Sequence, residues 1–205
     1  TRGQPLHPMD WDTYSGGASY DVARLATGSF IRMIDLLFEG SIDTGFAVVR
    51  PPGHHAEPGK AMGFCLFNNI AVGAQWALDQ GLVRRVAIID FDVHHGNGTQ
   101  TIFYHRPDVL YVSLHQYPLY PGTGYYTELG EGKGKGKTLN FPIPAGRGNR
   151  FYLALISHMV IPVLSHYKPD LILVSAGYDA HRNDPLAGMN LDEQGYAQMT
   201  LQLNS

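Results

Sequence analysis

Two carboxylates and two imidazoles follow directly after an apolar run in the middle of the chain. Residues 86–89 lead into Asp90, Asp92 and His94, and a glycine-rich turn comes next. Alternate residues of an extended strand share a face, so these three side chains are expected to point to the same side. Buried without partners, they would strongly destabilise the fold. The pattern therefore favours a metal site at a strand end over a hydrogen-bonded network that merely caps the strand.

A third ligand is expected where a second apolar run ends. Residues 171–174 are followed by a polar turn that ends in Asp179. Asp92, His94 and Asp179 would supply the three protein ligands that a catalytic metal needs, with one position left for water or substrate. Two carboxylates neutralise a divalent ion, so the ion should acidify water less than a site of three imidazoles would. Such a site needs a separate base.

The adjacent histidines His54 and His55 could supply that base. They follow two prolines, and the loop must turn if both rings are to face one substrate. Asp90 and Asn97 are candidate partners behind the rings, the carboxylate holding one imidazole charged and the amide leaving the other closer to neutral. That asymmetry suits an acid and base pair. The alternative is a pair of solvated histidines in a loop.

The surrounding pattern predicts an α/β protein of three layers, with a mostly parallel sheet and helices on both faces. Helices are expected from Ser19, as N-cap, to Gly40, over 66–80, over 151–166 and from about 191. Strands are expected at 44–49, 85–91, 108–114 and 171–174. Ligands bind at the carboxyl ends of parallel strands. Four loops that carry the polar residues follow these strands, so we expect them to converge at one edge of the sheet.

Composition narrows the class of protein. The 205 residues are 44% hydrophobic and 16% charged, which is typical of one globular domain over 1–205. A net charge of -3 gives no reason to expect nucleic acid as a partner. No apolar run is long enough to span a membrane. The single cysteine, Cys65, is compatible with a reducing compartment, so a cytoplasmic location is expected.

Five segments together resemble the histone deacetylase family, especially its class II branch and the bacterial deacetylase-like amidohydrolases. They occur in the family's order over nearly the whole chain. They are Arg50-Pro-Pro-Gly-His-His55, Gly63-Phe-Cys65 with Asn68-Asn69, Asp90-Phe-Asp-Val-His-His-Gly-Asn-Gly-Thr99, Pro121-Gly-Thr-Gly124 and Ser175-Ala-Gly-Tyr-Asp179. The resemblance implies an arginase/deacetylase-like fold that binds Zn²⁺ at Asp92, His94 and Asp179.

The resemblance also implies roles for other residues. His54 and His55 would activate water and protonate the departing amine. Phe64, next to Gly63, and Tyr120 would form the aromatic walls of an acyl-lysine tunnel. The remaining implied groups are a rim carboxylate that grips substrate amides, at Asp12, and a potassium site, at Asp90, Asp92, His94, Ser113 and Leu114.

The implied reaction is zinc-dependent removal of acetyl or short acyl groups from acetyl-lysine or a similar acylated amine, by metal-activated water and the histidine pair. An acetylpolyamine amidohydrolase and an arginase-like enzyme with two Mn²⁺ ions are the enzymatic alternatives.

The carbonyl-polarising tyrosine of the family lies beyond Asp179 and is not found here, since neither Tyr178 nor Tyr196 can be assigned that role. The chain is therefore expected to be a partial catalytic domain truncated at both ends. It would be either weakly active or an acyl-lysine binding fragment. It would also be either a homo-oligomer or completed by another chain.

Overall fold

The structure, a computed structural model, describes residues 6–204. They form two compact units, one within residues 6–84 and 97–102 and the other within residues 85–96 and 103–204. No helix in the described part of the chain is both long and apolar enough to cross a membrane. That residues 1–205 make a single domain stays a prediction.

The first unit is mainly helical. Strands β1 (His7–Pro8) and β2 (Tyr14–Ser15) form a short antiparallel pair. They precede helices α1 (Ser19–Phe38) and α2 (Asn69–Asp79), while α3 (Asn97–Phe103) begins later in the chain. The first two helices are joined by hydrogen bonds between buried or half-buried side chains, from Thr27 Oγ1 to Asn69 Oδ1 (2.7 Å) and from Trp76 Nε1 to Asp35 Oδ1 (2.8 Å).

The second unit contains a parallel sheet of four strands. These are β3 (Val86–Asp90), β4 (Val109–Gln116), β5 (Thr138–Ile143) and β6 (Leu171–Ser175), in the spatial order β5-β4-β3-β6. Asp90 at the end of β3 is aligned with Ser113 of β4 and Ser175 of β6. Every residue of β3 and β4 is buried, as expected for strands at the centre of a parallel sheet.

Helices pack against one face of this sheet. They are α4 (Asn149–Leu155), a π-helical turn (Ile156–Val160), α5 (Ile161–Tyr167) and α6 (Glu193–Leu203). The π-helical turn ends two residues before Pro162, whose missing N–H interrupts the hydrogen-bond ladder of a helix. Ile89 and Val112 of the sheet share a buried core with Ile156 and Met199 of the helices.

The predicted α/β class with a parallel sheet is confirmed, but two local predictions were wrong and one strand was missed. Residues 44–49 form no strand, and Phe46 and Val48 are exposed. Strand β5 was missed because Asn140 and Pro142 interrupt its apolar pattern, although a proline is tolerated in a strand at the edge of a sheet. Ser19 is the first residue of α1, and its side chain accepts a hydrogen bond from Gly16 N instead of capping the helix.

Candidate metal centre and active site

Asp92, His94 and Asp179 come together at the carboxyl end of β3 and β6. Nδ1 of His94 lies 2.9 Å from Oδ2 of Asp179 and 3.2 Å from Oδ1 of Asp92. Backbone N–H groups orient both carboxylates, since His94 N donates to Asp92 (2.8 Å) and Val93 N donates to Asp179 (3.0 Å). One possible ligand atom from each residue lies within 4.8 Å of the others. The three residues can therefore reach one ion.

The electrostatics of this cluster suit a divalent cation. Burial lowers the pKa of His94, but hydrogen bonds to Asp179 and Asp92 outweigh it and raise the pKa to about 10. Without a metal, a protonated imidazole thus offsets one of the two carboxylate charges. A divalent ion would supply that positive charge and leave the neutral ring as a ligand, since metal ligands must be deprotonated. The donor set of two carboxylates and one imidazole fits such an ion.

The segments that follow β3 and β6 orient these ligands. Phe91 and Val93 point into the apolar core, so the alternating residues Asp92 and His94 leave it, as the pattern predicts. Gly177, after β6, runs so close to Asp92 that a Cβ atom there would lie 2.7 Å from the Cα atom of Asp92 and closer still to the carboxylate. The absence of a side chain at position 177 therefore lets the two segments meet.

The first unit positions the histidine pair. The rings of His54 and His55 are buried, with centroids 4.0 Å apart and planes tilted by 47°. Asn97 donates through Nδ2 to Glu57 (2.6 Å) and presents Oδ1 to Nδ1 of His55 at 2.8 Å. Because an amide oxygen only accepts, Nδ1 of His55 must donate. The neutral ring then has Nε2 as its acceptor atom.

Phe64 is exposed in a strained turn. Gly63 and Phe64 have φ values of +57° and +64°, in a turn closed by hydrogen bonds between Met62 and Cys65. Two central residues with positive φ define the type I′ turn, which favours glycine at both positions. A phenylalanine here is strained, yet 53% of it is exposed. Residues with a strained backbone cluster at functional sites, so Phe64 is a candidate for such a site.

Asp12 is connected to the same turn. The Thr13 hydroxyl accepts a hydrogen bond from Phe64 N (2.9 Å) and donates one to Asp12 Oδ1 (3.0 Å). Asp12 and Phe64, which sequence reasoning assigned separately to substrate binding, are therefore joined through one side chain. Nothing in the sequence pattern marked Thr13.

Tyr120 and the residues predicted for potassium lie in the second unit. The exposed ring of Tyr120 packs edge-on to His94, with ring centroids 6.3 Å apart. Asp90 accepts hydrogen bonds from Tyr111 OH (3.2 Å) and Asp92 N (3.3 Å). Two further predicted potassium ligands, Ser113 and Leu114, are buried in β4. The potassium site stays a prediction.

Sequence reasoning left the role of His115 open and missed Tyr111. Burial, together with Asp90, raises the pKa of Tyr111 well above its usual value, so its hydroxyl stays neutral and donates. Burial, assisted by His95, lowers the pKa of His115 to about 3. Three of the four expected loops follow β3, β4 and β6 and meet within the second unit. The fourth, which carries His54 and His55, follows residues 44–49, and these form no strand.

Comparisons with known proteins agree on one family. The family described as "Histone deacetylase domain" matches residues 3–205. A "Probable deacetylase" of Archaeoglobus fulgidus is 46% identical over 191 residues, which are 93% of this chain and 53% of that protein. A "Histone deacetylase-like amidohydrolase" of Pseudomonas aeruginosa is 44% identical over 190 residues, which are 92% of this chain and 50% of that protein.

Structural similarity leads to the same result. The crystal structure of the HDA15 HD domain superposes with a TM-score of 0.94 at 44% identity, and the match covers 97% of this chain and 59% of that one. The chain thus spans about half of the two relatives named and 59% of this structure. The fold and the cluster define an α/β protein with a candidate metal centre at the carboxyl edge of a parallel sheet. The chain belongs to the histone deacetylase family.

Proposed function

We propose that this chain carries the centre of a zinc-dependent amidohydrolase that removes acetyl or short acyl groups from acetyl-lysine or a similar acylated amine. The observation that carries the proposal is the cluster of Asp92, His94 and Asp179, whose ligand atoms lie within 4.8 Å of one another. Membership of the histone deacetylase family supports the reaction class. The relatives named as a deacetylase and as a deacetylase-like amidohydrolase support it further.

The predicted site residues would have two roles, metal binding and proton transfer. Asp92, His94 and Asp179 would hold the zinc ion, which when bound polarises the substrate carbonyl and acidifies water. His55 would accept the proton of the attacking water at Nε2, because Asn97 keeps the proton of the neutral ring on Nδ1. The pair with His54 would then return a proton to the departing amine nitrogen.

Substrate binding would use the exposed aromatic rings. Phe64 and Tyr120 each present a half-exposed ring, which suits contact with the aliphatic stem of an acylated lysine or polyamine. Asp12, connected to Phe64 through Thr13, would accept hydrogen bonds from the substrate backbone.

Other properties stay predictions. These are a bound potassium ion, self-association or completion by another chain, and a cytoplasmic location, which the single buried cysteine supports.

The metal content of the purified chain tests the proposal. We expect one zinc per chain in the wild type and none in Asp179→Asn, which removes one carboxylate ligand. Asp43→Asn is the matched control, because Asp43 is exposed and lies in the other unit. Two manganese ions per chain would instead favour an arginase-like site, and full zinc in Asp179→Asn would overturn the ligand assignment.

A substrate panel then tests the reaction. Release of acetate is measured from an acetyl-lysine peptide, an acetylpolyamine and an acetylated small metabolite, each with the zinc-loaded protein. We expect hydrolysis of at least one of them by the wild type and Asp43→Asn, and none by Asp179→Asn. A zinc-loaded wild type that hydrolyses none of the three would leave only a binding role.

A further inference from the structure

Two buried imidazoles lie beneath the loop that carries Tyr120. This loop, residues 117–124, follows β4 and places the Tyr120 ring 6.3 Å from the ring of His94. Tyr120 is 37% exposed, and it is carried by a loop rather than by a strand or helix. The position of its ring therefore depends in part on how that loop is anchored.

His115 anchors the end of the loop. Its Nε2 lies 2.9 Å from the carbonyl oxygen of Gly124, and a carbonyl only accepts, so Nε2 donates. Its Nδ1 lies 2.9 Å from Ser113 Oγ, which donates to it in the neutral ring. Both ring nitrogens are thereby used. A buried imidazole near the end of a mainly apolar strand is stable only with such partners.

His95 makes the second anchor. It is buried, and its Nδ1 lies 2.8 Å from the hydroxyl of Thr123, while its ring centroid is 4.8 Å from that of His115. Gly124 rests on both rings, since a Cβ atom there would lie 2.5 Å from His95 Cγ and 2.6 Å from His115 Nε2. With a φ of +88° as well, position 124 admits only glycine without strain.

Glu128 also holds this part of the loop. The carboxylate of Glu128 accepts hydrogen bonds from Gly124 N (3.0 Å) and Tyr125 N (2.8 Å). Residues 123–125 are therefore held both by the two imidazoles and by Glu128, and Tyr120 lies only three residues before Thr123.

We propose that His95 and His115 are positioning residues, which fix the 117–124 loop and thereby make the site selective for ligands with a linear stem that reaches the Tyr120 ring. The choice of ligand rests on the proposed function. A purely structural role would instead lower the stability of the fold and affect long and short ligands alike.

The first test uses Thr123→Val, with Thr123→Ser as the control that keeps the hydroxyl. Thr123 is exposed, so neither change endangers the fold. The full chain, loaded with zinc, is titrated with acetohydroxamate and with a hydroxamate that has a long straight alkyl linker. Loss of one hydrogen bond should weaken the long ligand about tenfold in Thr123→Val and leave acetohydroxamate unchanged. Thr123→Ser should bind both ligands like the wild type.

The second test compares His115→Asn with His115→Gln. The amide nitrogen of Gln can take the place of Nε2 and donate to Gly124, whereas that of Asn cannot reach it. We expect faster hydrogen exchange at the amides of residues 119, 120 and 122–124 in His115→Asn, since Pro121 has no amide hydrogen. The exchange is measured by mass spectrometry on the metal-free protein, and His115→Gln should restore the wild-type rate in part. The preference for the long hydroxamate should follow the same order.

Unchanged preference in both Thr123→Val and His115→Asn would overturn the inference, as would an equal loss for both ligands. If the wild type binds neither zinc nor either hydroxamate, the proposed function fails instead. In that case the exchange rates still decide whether the two imidazoles fix the loop.

Discussion

Replacing Gly177 by Ala should displace Asp92 from the metal centre. The added Cβ would lie 2.7 Å from Asp92 Cα. Ordinary contacts begin near 3.4 Å, so the two segments would have to separate by about 0.7 Å (3.4 Å minus 2.7 Å). Metal ligands tolerate deviations of about 0.2 Å. We therefore expect zinc affinity to fall by about 10- to 100-fold, the range typical of mutations in residues that orient a metal ligand.

The assay is a zinc titration in competition with a chromophoric chelator, with urea unfolding of the metal-free protein to show that the variant folds. Gly28→Ala is the matched control, because position 28 is helical and a Cβ there meets no atom within 4 Å. That variant should gain about 0.5–1 kcal/mol of stability and bind zinc like the wild type. If Gly177→Ala also binds zinc with wild-type affinity, the geometry of Asp92 does not control the site and our reasoning is refuted.

Three further predictions concern His94, Phe64 and His55. With its pKa raised to about 10 by Asp179 and Asp92 despite burial, His94 stabilises the metal-free protein fully below its ordinary pKa of 6.5 and progressively less as the pH rises through about 10. At pH 8, zinc should therefore displace nearly one proton from it, and calorimetry in buffers of different ionisation enthalpy that finds no release would contradict this. Phe64→Gly should be about 1 kcal/mol more stable than Phe64→Ala in urea unfolding, because glycine relieves the strain at φ +64°; equal stabilities would show that the turn is unstrained. His55→Ala should keep its zinc but lose about 10²- to 10⁴-fold in kcat/KM, whereas a loss of zinc would make it a ligand.

The local sequence pattern was sufficient to predict the two central strands of the sheet. The buried strands β3 and β4 are mainly apolar, apart from Asp90 in β3 and Ser113, His115 and Gln116 in β4. The alternation after Ile89 correctly separated Asp92 and His94 from Phe91 and Val93. Strands with this composition are stable only when covered on both sides. Their pattern therefore predicts both the parallel sheet and the edge where polar residues gather.

Edge and loop structure could not be predicted in the same way. Residues 44–49 have the composition of a strand but form none, while β5 forms despite Asn140 and Pro142 because β4 offers it a hydrogen-bonding edge. Strand propensity depends on neighbouring strands more than on the residues themselves. A single sequence does not show which neighbours are present.

By itself, the sequence determined the types and order of the chemical groups. The candidate metal ligands and the paired histidines could be recognised because they are polar residues close behind apolar runs. Only the tertiary structure decided which groups share a hydrogen bond. It placed Asn97 in hydrogen-bond contact with His55, 42 residues away, and Asp179 in contact with His94, 85 residues away. It also packed Gly124 against the rings of His95 and His115. These contacts link segments far apart in the chain, and their geometry follows from how the strands and loops pack rather than from local spacing.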